Sequence, residues 1–506
     1  MASEIELKLE VPPDRLRALI RAPWLKQMAE TTVKQKKLVS VYFDTGSRAL
    51  RDAGLSLRVR QTGDRHVQTV KGSPAGSYRR LEWEREIEGA TPDRGLARHT
   101  ALKPFTGKKA WRRLRPVFET DITRISIPVQ SGKSHIEVAL DQGKVKSGKD
   151  TLAVSEVELE LKDGQVADLS GLAKRIAGQS GVELGLASKA ERGYGLADDT
   201  LEECVGAADI VLDKDMTAAD GFRAIAFSCL HHLAGNRAAV LAGDPEGVHQ
   251  MRVGLRRLRA ALSLFKALID GPELDAVKKD LKWLSGELTD ARDFDVFLRK
   301  TVKPMEKDAP AGLPALEEDI EERRHQGFTQ AKRLVRSPRY RRILLKTGLW
   351  LTGGDWASGD DEIHRDLRQR LLHDTARSIL KTRTAKVTKK LKKLDRMDDR
   401  QRHKLRIAVK KLRYAVGFFE SLFGSGHRRK RFAAALKDLQ SALGRLNDIR
   451  VHRKFGRKQV RGKRQLSHGA YALGVATGQE REAAKPCLDA AAKAGKKLRG
   501  LKPFWA

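Results

Sequence analysis

The sequence predicts an α+β protein in two unlike parts: an N-terminal closed antiparallel β-barrel, then an all-α helical-bundle domain built from a duplicated unit. Three observations carry that two-part division, with closure of the strands into a barrel set against an ordinary sheet. Up to about residue 200, apolar residues recur at every second position in short runs, which is the period of a strand. From about residue 210 the period lengthens to 3.6, that of a helix. Finally, the stretch Val248–Leu262 (VHQMRVGLRRLRAAL) returns as Arg402–Val416 (RHKLRIAVKKLRYAV).

The strands come in order. From Ser3 to Glu10, the polar residues Glu4, Glu6, Lys8 and Glu10 alternate with Ile5, Leu7 and Leu9. Val41–Phe43 precedes a turn, and LSLRVR (Leu55–Arg60) sets Arg58 and Arg60 opposite Leu57 and Val59. Val67–Lys71 ends in a lysine. Arg80–Glu88 alternates too, although the side taken by Glu82 and Glu84 stays open. Phe118–Ile127 carries Arg124, Ile136–Asp141 sets Glu137 with Asp141, and SEVELELK (Ser155–Lys162) sets Glu156, Glu158 and Glu160 on one face. A sandwich would turn mixed polar faces to water. Here the sign differs from strand to strand, which also suits a closed barrel with its charged side inward. Such a lumen suits a metal–phosphate chelate, with Arg and Lys on phosphate oxygens and carboxylates on Mg²⁺ or Mn²⁺. An ordinary sheet remains the plain alternative.

The charge is lopsided. The formal net charge is +35. Residues 1–204 hold 35 basic and 29 acidic residues, which leaves 65 basic and 36 acidic for the remainder. A field that positive gathers polyanions, whether nucleic acid, polyphosphate or an acidic membrane surface. Cys204, Cys229 and Cys487 are odd in number and lack metal-site spacing, so reduced thiols in the cytoplasm are expected. No apolar leader follows Met1 and no run of about 18 apolar residues occurs, so no transmembrane segment is expected.

Five stretches in this order, Glu4-x-Glu6-x-Lys8, LRVR at 57–60, EVALDQG at 137–143, SEVELELK and SKAERGY at 188–194, resemble the CYTH family over residues 1–200. That resemblance implies a triphosphate tunnel, in a family that includes inorganic, thiamine and RNA triphosphatases and class IV adenylate cyclases. Carried over, Glu4, Glu6, Glu137, Asp141, Glu156, Glu158 and Glu160 are expected on the metal side. Lys8, Arg58, Arg60, Lys71, Arg124 and Lys189 are expected on the triphosphate, with Glu4, Glu6 and Lys8 catalytic.

A helix over Gln165–Ile176 should close the first domain, and Leu196–Ala208 is an acidic join. Beyond the amphipathic Ala218–Ala234, the repeated stretches align His249, Arg252, Arg256, Arg257 and Arg259 with His403, Arg406, Lys410, Lys411 and Arg413. On a helix, four of each five share an arc of about 80° beside an apolar arc, with no carboxylate among them. A solvated face would mix signs, so two such stripes ask for an anion. Leu281–Phe297 has its echo in Leu436–His452, and Arg223 pairs with Arg377. The duplicated units are expected at 215–345 and 365–500 within 210–506, divided by a Gly/Asp-rich loop at Gly353–Asp361. A pseudo-twofold axis would turn both stripes toward one groove. Asp293 and Asp448 read as braces, and neither His249 nor His403 has a metal-ligand partner at the right spacing.

This second part resembles the CHAD family, which often follows a CYTH domain in bacterial chains and is associated with polyphosphate. The resemblance implies polyphosphate binding by the aligned residues, with Arg223 and Arg377 added, and association with polyphosphate granules. The combined expectation is a Mg²⁺- or Mn²⁺-dependent inorganic triphosphatase with a basic helical domain that binds long-chain polyphosphate. Alternatives are a polyphosphate scaffold with little turnover, or a thiamine- or nucleoside-triphosphatase. Specific nucleic-acid binding is disfavoured, because no RNP-type, helix-turn-helix or zinc motif occurs and only 6% of residues are aromatic.

Overall fold

The computed structural model describes residues 5–31, 33–72, 81–178, 181–358, 362–424, 426–460 and 467–505. Nine strands, β1 (Ile5–Glu10), β2 (Lys34–Asp44), β3 (Leu55–Thr62), β4 (Arg65–Gly72), β5 (Leu81–Ile87), β6 (Arg115–Ser131), β7 (Ser134–Ser147), β8 (Asp150–Asp163) and β9 (Glu183–Leu184), form one antiparallel sheet. Its order is β5-β4-β3-β2-β6-β7-β8-β1-β9. Among the described residues no ladder joins β5 to β9, so the pairing is open rather than the closed ring expected from sequence. The two-residue β9 offers little edge to pair, and a helix of the second part lies over it, which is another way to protect an edge.

Register explains why the alternation was so regular. Lys71 pairs with Glu82 and Ser56, Thr69 with Glu84 and Arg58, and Arg58 with Tyr42. Arg124 pairs with Lys36 and Asp141, Asp141 with Glu156, and Lys8 with Glu158. Directly paired residues share a face. These paired charges therefore lie on one side of the sheet. The other side carries Lys37, Glu119, Asp121 and Lys146 further along β2, β6 and β7, and is apolar where helices cover it. Leu7, Leu9, Val138, Leu140, Val157 and Leu159 are buried there with Leu16 and Leu19 of α1 (Pro13–Arg21) and Leu169, Leu172 and Ile176 of α2 (Val166–Ala177). Each buried Leu or Val contributes about 1.5–3 kcal/mol, which fixes this side as the covered one. A further helix, α3 (Lys189–Ala197), crosses the charged side.

The second part is all helical, as expected. Its principal helices include α4 (Ala218–Gly235), α5 (Pro245–Leu264), α6 (Thr289–Phe297), α7 (Pro338–Gly353), α8 (Leu372–Leu391), α9 (Asp399–Phe418) and α10 (His427–Val460). The repeat is visible as symmetry. Thr217 forms a β-bridge with Leu371, just before the equivalent helices α4 and α8, and Phe265 meets Phe419 at 5.9 Å, just after α5 and α9. Both contacts join aligned residues, which is what a pseudo-twofold relation requires. The echoed leucines, Leu281, Leu284 and Leu288 with Leu436, Leu439 and Leu443, are all buried. The first copy breaks at Leu288, whereas α10 is continuous. Within the expected loop at 353–361, Asp355–Ser358 is a helical turn, and residues 359–361 lie outside the described residues.

The two parts share a core. Ser170 Oγ donates to the Leu349 carbonyl, Arg341 and Arg237 both reach Glu183, and a Cβ on Gly348 would stand 2.4 Å from Leu184. Helix α7 can thus lie against β9 only because position 348 has no side chain. No helix among the described residues is long and apolar enough to cross a membrane.

Candidate functional site

The charged side of the sheet gathers into a buried cluster at β1, β6, β7 and β8. Asp141 and Glu156 are fully buried, and Glu158 is 15% exposed. Lys8 Nζ lies 2.9 Å from Glu158 and 3.6 Å from Glu156. Arg124 grips Asp141 through Nε and Nη2 at 2.7 and 2.6 Å and also donates to Glu158. Lys189 Nζ reaches Asp141 at 2.6 Å and Glu158 at 3.0 Å and donates to Glu156, which also accepts from Arg192. Burial alone would raise the Glu158 carboxyl, but Lys189, Lys8 and Arg124 outweigh it and hold it well below the ordinary range. Burial alone would likewise lower Lys189 and Arg124, yet the carboxylates around them keep both raised and charged.

Helix α3 explains the SKAERGY motif residue by residue. Ser188 caps it with Glu191 in a reciprocal box, which fixes where the helix starts. Lys189 and Arg192, one turn apart, then aim at Glu156. A Cβ on Gly193 would lie 2.1 Å from the Phe118 ring, so only glycine lets the helix sit this close to the sheet. Tyr194 Oη donates to Asp44 at 2.9 Å, which ties down the far end. Gly193→Ala is therefore expected to cost about 1–3 kcal/mol of stability by overpacking. Chemical denaturation would check it, and an unchanged midpoint would mean that α3 is free to lift.

A second group lies across the sheet on β3, β4 and β5. Arg58 is within 3.5–3.6 Å of Glu82 and Glu84, Arg60 reaches Glu84 at 4.0 Å, and Lys71 binds Glu82 at 2.7 Å. Burial, then Arg58, pushes Arg60 down to about 10, so it stays charged at neutral pH. The Nε atoms of Arg58, Arg60 and Arg192 are buried with no hydrogen-bond partner among the described residues. Buried donors without partners are costly, which marks the space before them as one for acceptor atoms.

Not every expected residue joins the cluster. Glu137 and Glu160 sit apart with Lys162, at 3.7 and 2.6 Å, and Glu137 accepts from Ser126. Glu6 stands 3.8 Å from Lys8, and Glu4 lies outside the described residues. Sequence reasoning left Glu82 and Glu84 open and missed Arg192 and Tyr42. The one-turn spacing of Arg192 from Lys189 was the available signal for the first of these two.

In the helical part the two stripes do face each other. Lys410 feels Arg406, Arg256 and Arg252, and Arg406 feels Arg256 and Arg450. Burial first, then these cations, brings Lys410 down to about 7. The first aspartate holds the arginine of its own copy, Asp293 with Arg252 at 3.7 Å, and Asp448 acts electrostatically on Arg406. His403 Nδ1 bonds Asn447 Oδ1 at 2.8 Å, whereas burial and Arg292 push His249 down to about 4, leaving it neutral at pH 7. Nε of Arg252, Arg256, Arg406 and Arg450 and Nη1 of Arg252 are buried without partners among the described residues.

Three of the expected polyphosphate binders make contacts within the protein. Arg257 is buried under Phe418 and beside His232. Arg223 lies over Trp356 and donates to the Thr352 carbonyl, and Arg377 donates to the Trp505 carbonyl. Arg223 and Arg257 face the interior because their helix angles point there, whereas Arg377 makes its contact from an exposed position. Lys411 bonds Ser263, while Arg259 and Arg413 are exposed at the margin.

Residues 2–194 match the family model described as CYTH domain, and residues 224–457 match the one described as CHAD domain. The chain joins a CYTH domain to a CHAD domain. A curated protein described as an inorganic triphosphatase from Haemophilus influenzae is 33% identical over 201 residues, covering 38% of this chain and 55% of that protein. The chain thus spans about half the length of that curated relative. The crystal structure of the CHAD domain from the plant Ricinus communis is 32% identical with a TM-score of 0.50, covering 59% of this chain and 98% of that one. In the CYTH domain, the Asp141, Glu156 and Glu158 carboxylates offer oxygens within 4.8 Å of one another. An all-carboxylate set of that span suits a hard cation such as Mg²⁺ or Mn²⁺.

Proposed function

We propose that this CYTH–CHAD protein is a metal-dependent inorganic triphosphatase whose CHAD domain binds long-chain polyphosphate. The observation that carries the catalytic reading is the buried trio Asp141, Glu156 and Glu158 interleaved with Lys8, Arg124 and Lys189. As it stands, the trio is neutralised by those cations. A triphosphate arriving with its metal would redistribute the pairs: carboxylates to the ion, Lys8, Arg124 and Lys189 to phosphate oxygens. The charged side of the sheet is read as the wall of the tunnel, with Arg58, Arg60 and Lys71 holding the other end of the substrate. A divalent ion there would offset phosphate charge and make a water more acidic. The chain's own cations would hold the phosphates in line for attack. Glu6, with Glu4 beside it in sequence, completes the acidic side, and Glu137 and Glu160 form its outer end.

The name of the Haemophilus influenzae relative supports the substrate class. The rings on this side, Tyr42, Phe118 and Tyr194, are buried and packed against one another, which favours a triphosphate without a base to stack. Residues 1–200 and 210–506 are taken as the two functional units, and the protein as a cytoplasmic one associated with polyphosphate granules. A hydrolysis screen over triphosphate, thiamine triphosphate, ATP and polyphosphate with Mg²⁺ or Mn²⁺ tests this. Preference for either of the middle two would overturn the inorganic assignment.

The groove adds a pH prediction. Lys410 titrates near 7 in the free protein, well below an ordinary lysine, so a bound polyanion should raise it again and take up a proton. Affinity for long-chain polyphosphate is then expected to fall as pH rises from about 6 to 9, by about tenfold or more across that range. Lys410→Arg should flatten the profile. An equally steep profile in that variant would assign the dependence to another group.

A further inference from the structure

Lys411 and four further cations line a half-open cleft on the opposite flank of α9. Arg383, Lys386 and Lys390 of α8 and Lys404 and Lys411 of α9 surround a floor of Ile407 and Ala408, enclosing about 230 Å³. None of the five forms an ion pair with a carboxylate among the described residues. Two of them are instead drawn to the last turn of α5: Lys411 Nζ donates to Ser263 Oγ at 2.8 Å, and Arg383 Nη2 to the Ser263 carbonyl at 2.7 Å. Like charges gathered without counter-charge repel one another, and partial burial deepens the cost. Lys411 registers this, being lowered by burial and then by Arg383, Lys386 and Arg259. Arg259 belongs to the same stripe of α5 as Arg252 and Arg256. A run of cations therefore leads from the groove, past Arg259, into the cleft.

We infer that the cleft is a second anion site, which takes phosphoryl groups of a polyphosphate chain after it leaves the His/Arg groove. This rests on the reading of the groove as a polyphosphate site. The chemistry of the lining selects the ligand class. No aromatic ring lines the cleft, so a base would have nothing to stack on. Four of the five cations are lysines, compact point charges that need no fixed orientation from the oxygens they meet, which suits a flexible phosphate chain. The volume admits a short run of phosphoryl groups.

The test uses the full-length chain with Lys386→Ala and Lys404→Ala combined. Both side chains are exposed, so the fold should hold. The probe is long-chain polyphosphate across a salt series, with a chelator present to silence the tunnel. The expected result is about tenfold weaker binding and a salt slope shallower by about 1.4, at roughly 0.7 per lost contact on a flexible strand. An Arg252→Ala/Arg256→Ala variant runs alongside. If that variant weakens binding while the cleft variant matches wild type, the cleft is overturned and the groove stands. If both match wild type, groove and cleft fall together. A parallel arm measures retention on vesicles containing acidic phospholipid. Loss of retention in the cleft variant, with polyphosphate affinity unchanged, would make the cleft a headgroup site and overturn the inference.

Discussion

Glu158→Gln is expected to lower triphosphate turnover by more than about 100-fold, since loss of even an outer-shell partner at a metal site costs about 10–100-fold. Glu158 touches Lys8, Arg124 and Lys189 at once, and it belongs to the carboxylate trio. The substitution keeps shape and removes the charge around which the cluster is arranged. Glu160→Gln is the matched comparison, because Glu160 pairs with Lys162 away from the trio. Its effect should be smaller by at least about tenfold on the same scale. Glu6→Gln and Glu4→Gln should fall with Glu158. Equal losses at 158 and 160, measured as kcat/KM at saturating Mg²⁺ or Mn²⁺, would mean that the buried trio is not the catalytic group.

The second large effect concerns the groove. Replacing Arg252, Arg256, Arg406 and Lys410 together by Ala should weaken long-chain polyphosphate binding by at least about 100-fold, at about 0.7 kcal/mol or more for each of the four partly exposed charge contacts. The salt slope should shrink by about 3, and either double variant should lie between the quadruple and wild type. Triphosphate turnover should not change. Unaltered affinity and slope in the quadruple variant would return both stripes to ordinary solvated helix faces.

Much of this was legible in the sequence because charge and period coincide. Alternation put Lys8, Arg124, Asp141, Glu156 and Glu158 each on the polar face of its strand, and the ladders set them side by side. Period alone does not give register between distant strands, so the separation of Glu137 and Glu160 from the trio could not be read. Nor could the side taken by Glu82 and Glu84, which only their pairing with Lys71 and Thr69 decides. In the helical half, the repeat marked groove and brace equally. Arg223 and Arg377 align, and each donates to a backbone carbonyl, Arg223 from the core to Thr352 and Arg377 from an exposed position to Trp505. Arg257 is one residue from Arg256, and that step of about 100° carries it from groove to core. The open sheet edge escaped the sequence for a different reason. Covering β9 takes Gly348 of α7, more than 150 residues away in the chain.

Whether the charged cluster of the CYTH domain hydrolyses triphosphate with a metal is decided by following the products that the full-length protein forms from inorganic triphosphate, with Mg²⁺ or Mn²⁺ and with the metals chelated. The expected outcome is one phosphate and one diphosphate per triphosphate consumed, with turnover that disappears with the metal and returns when it is restored. Undiminished turnover under chelation, or none with either ion, would contradict it.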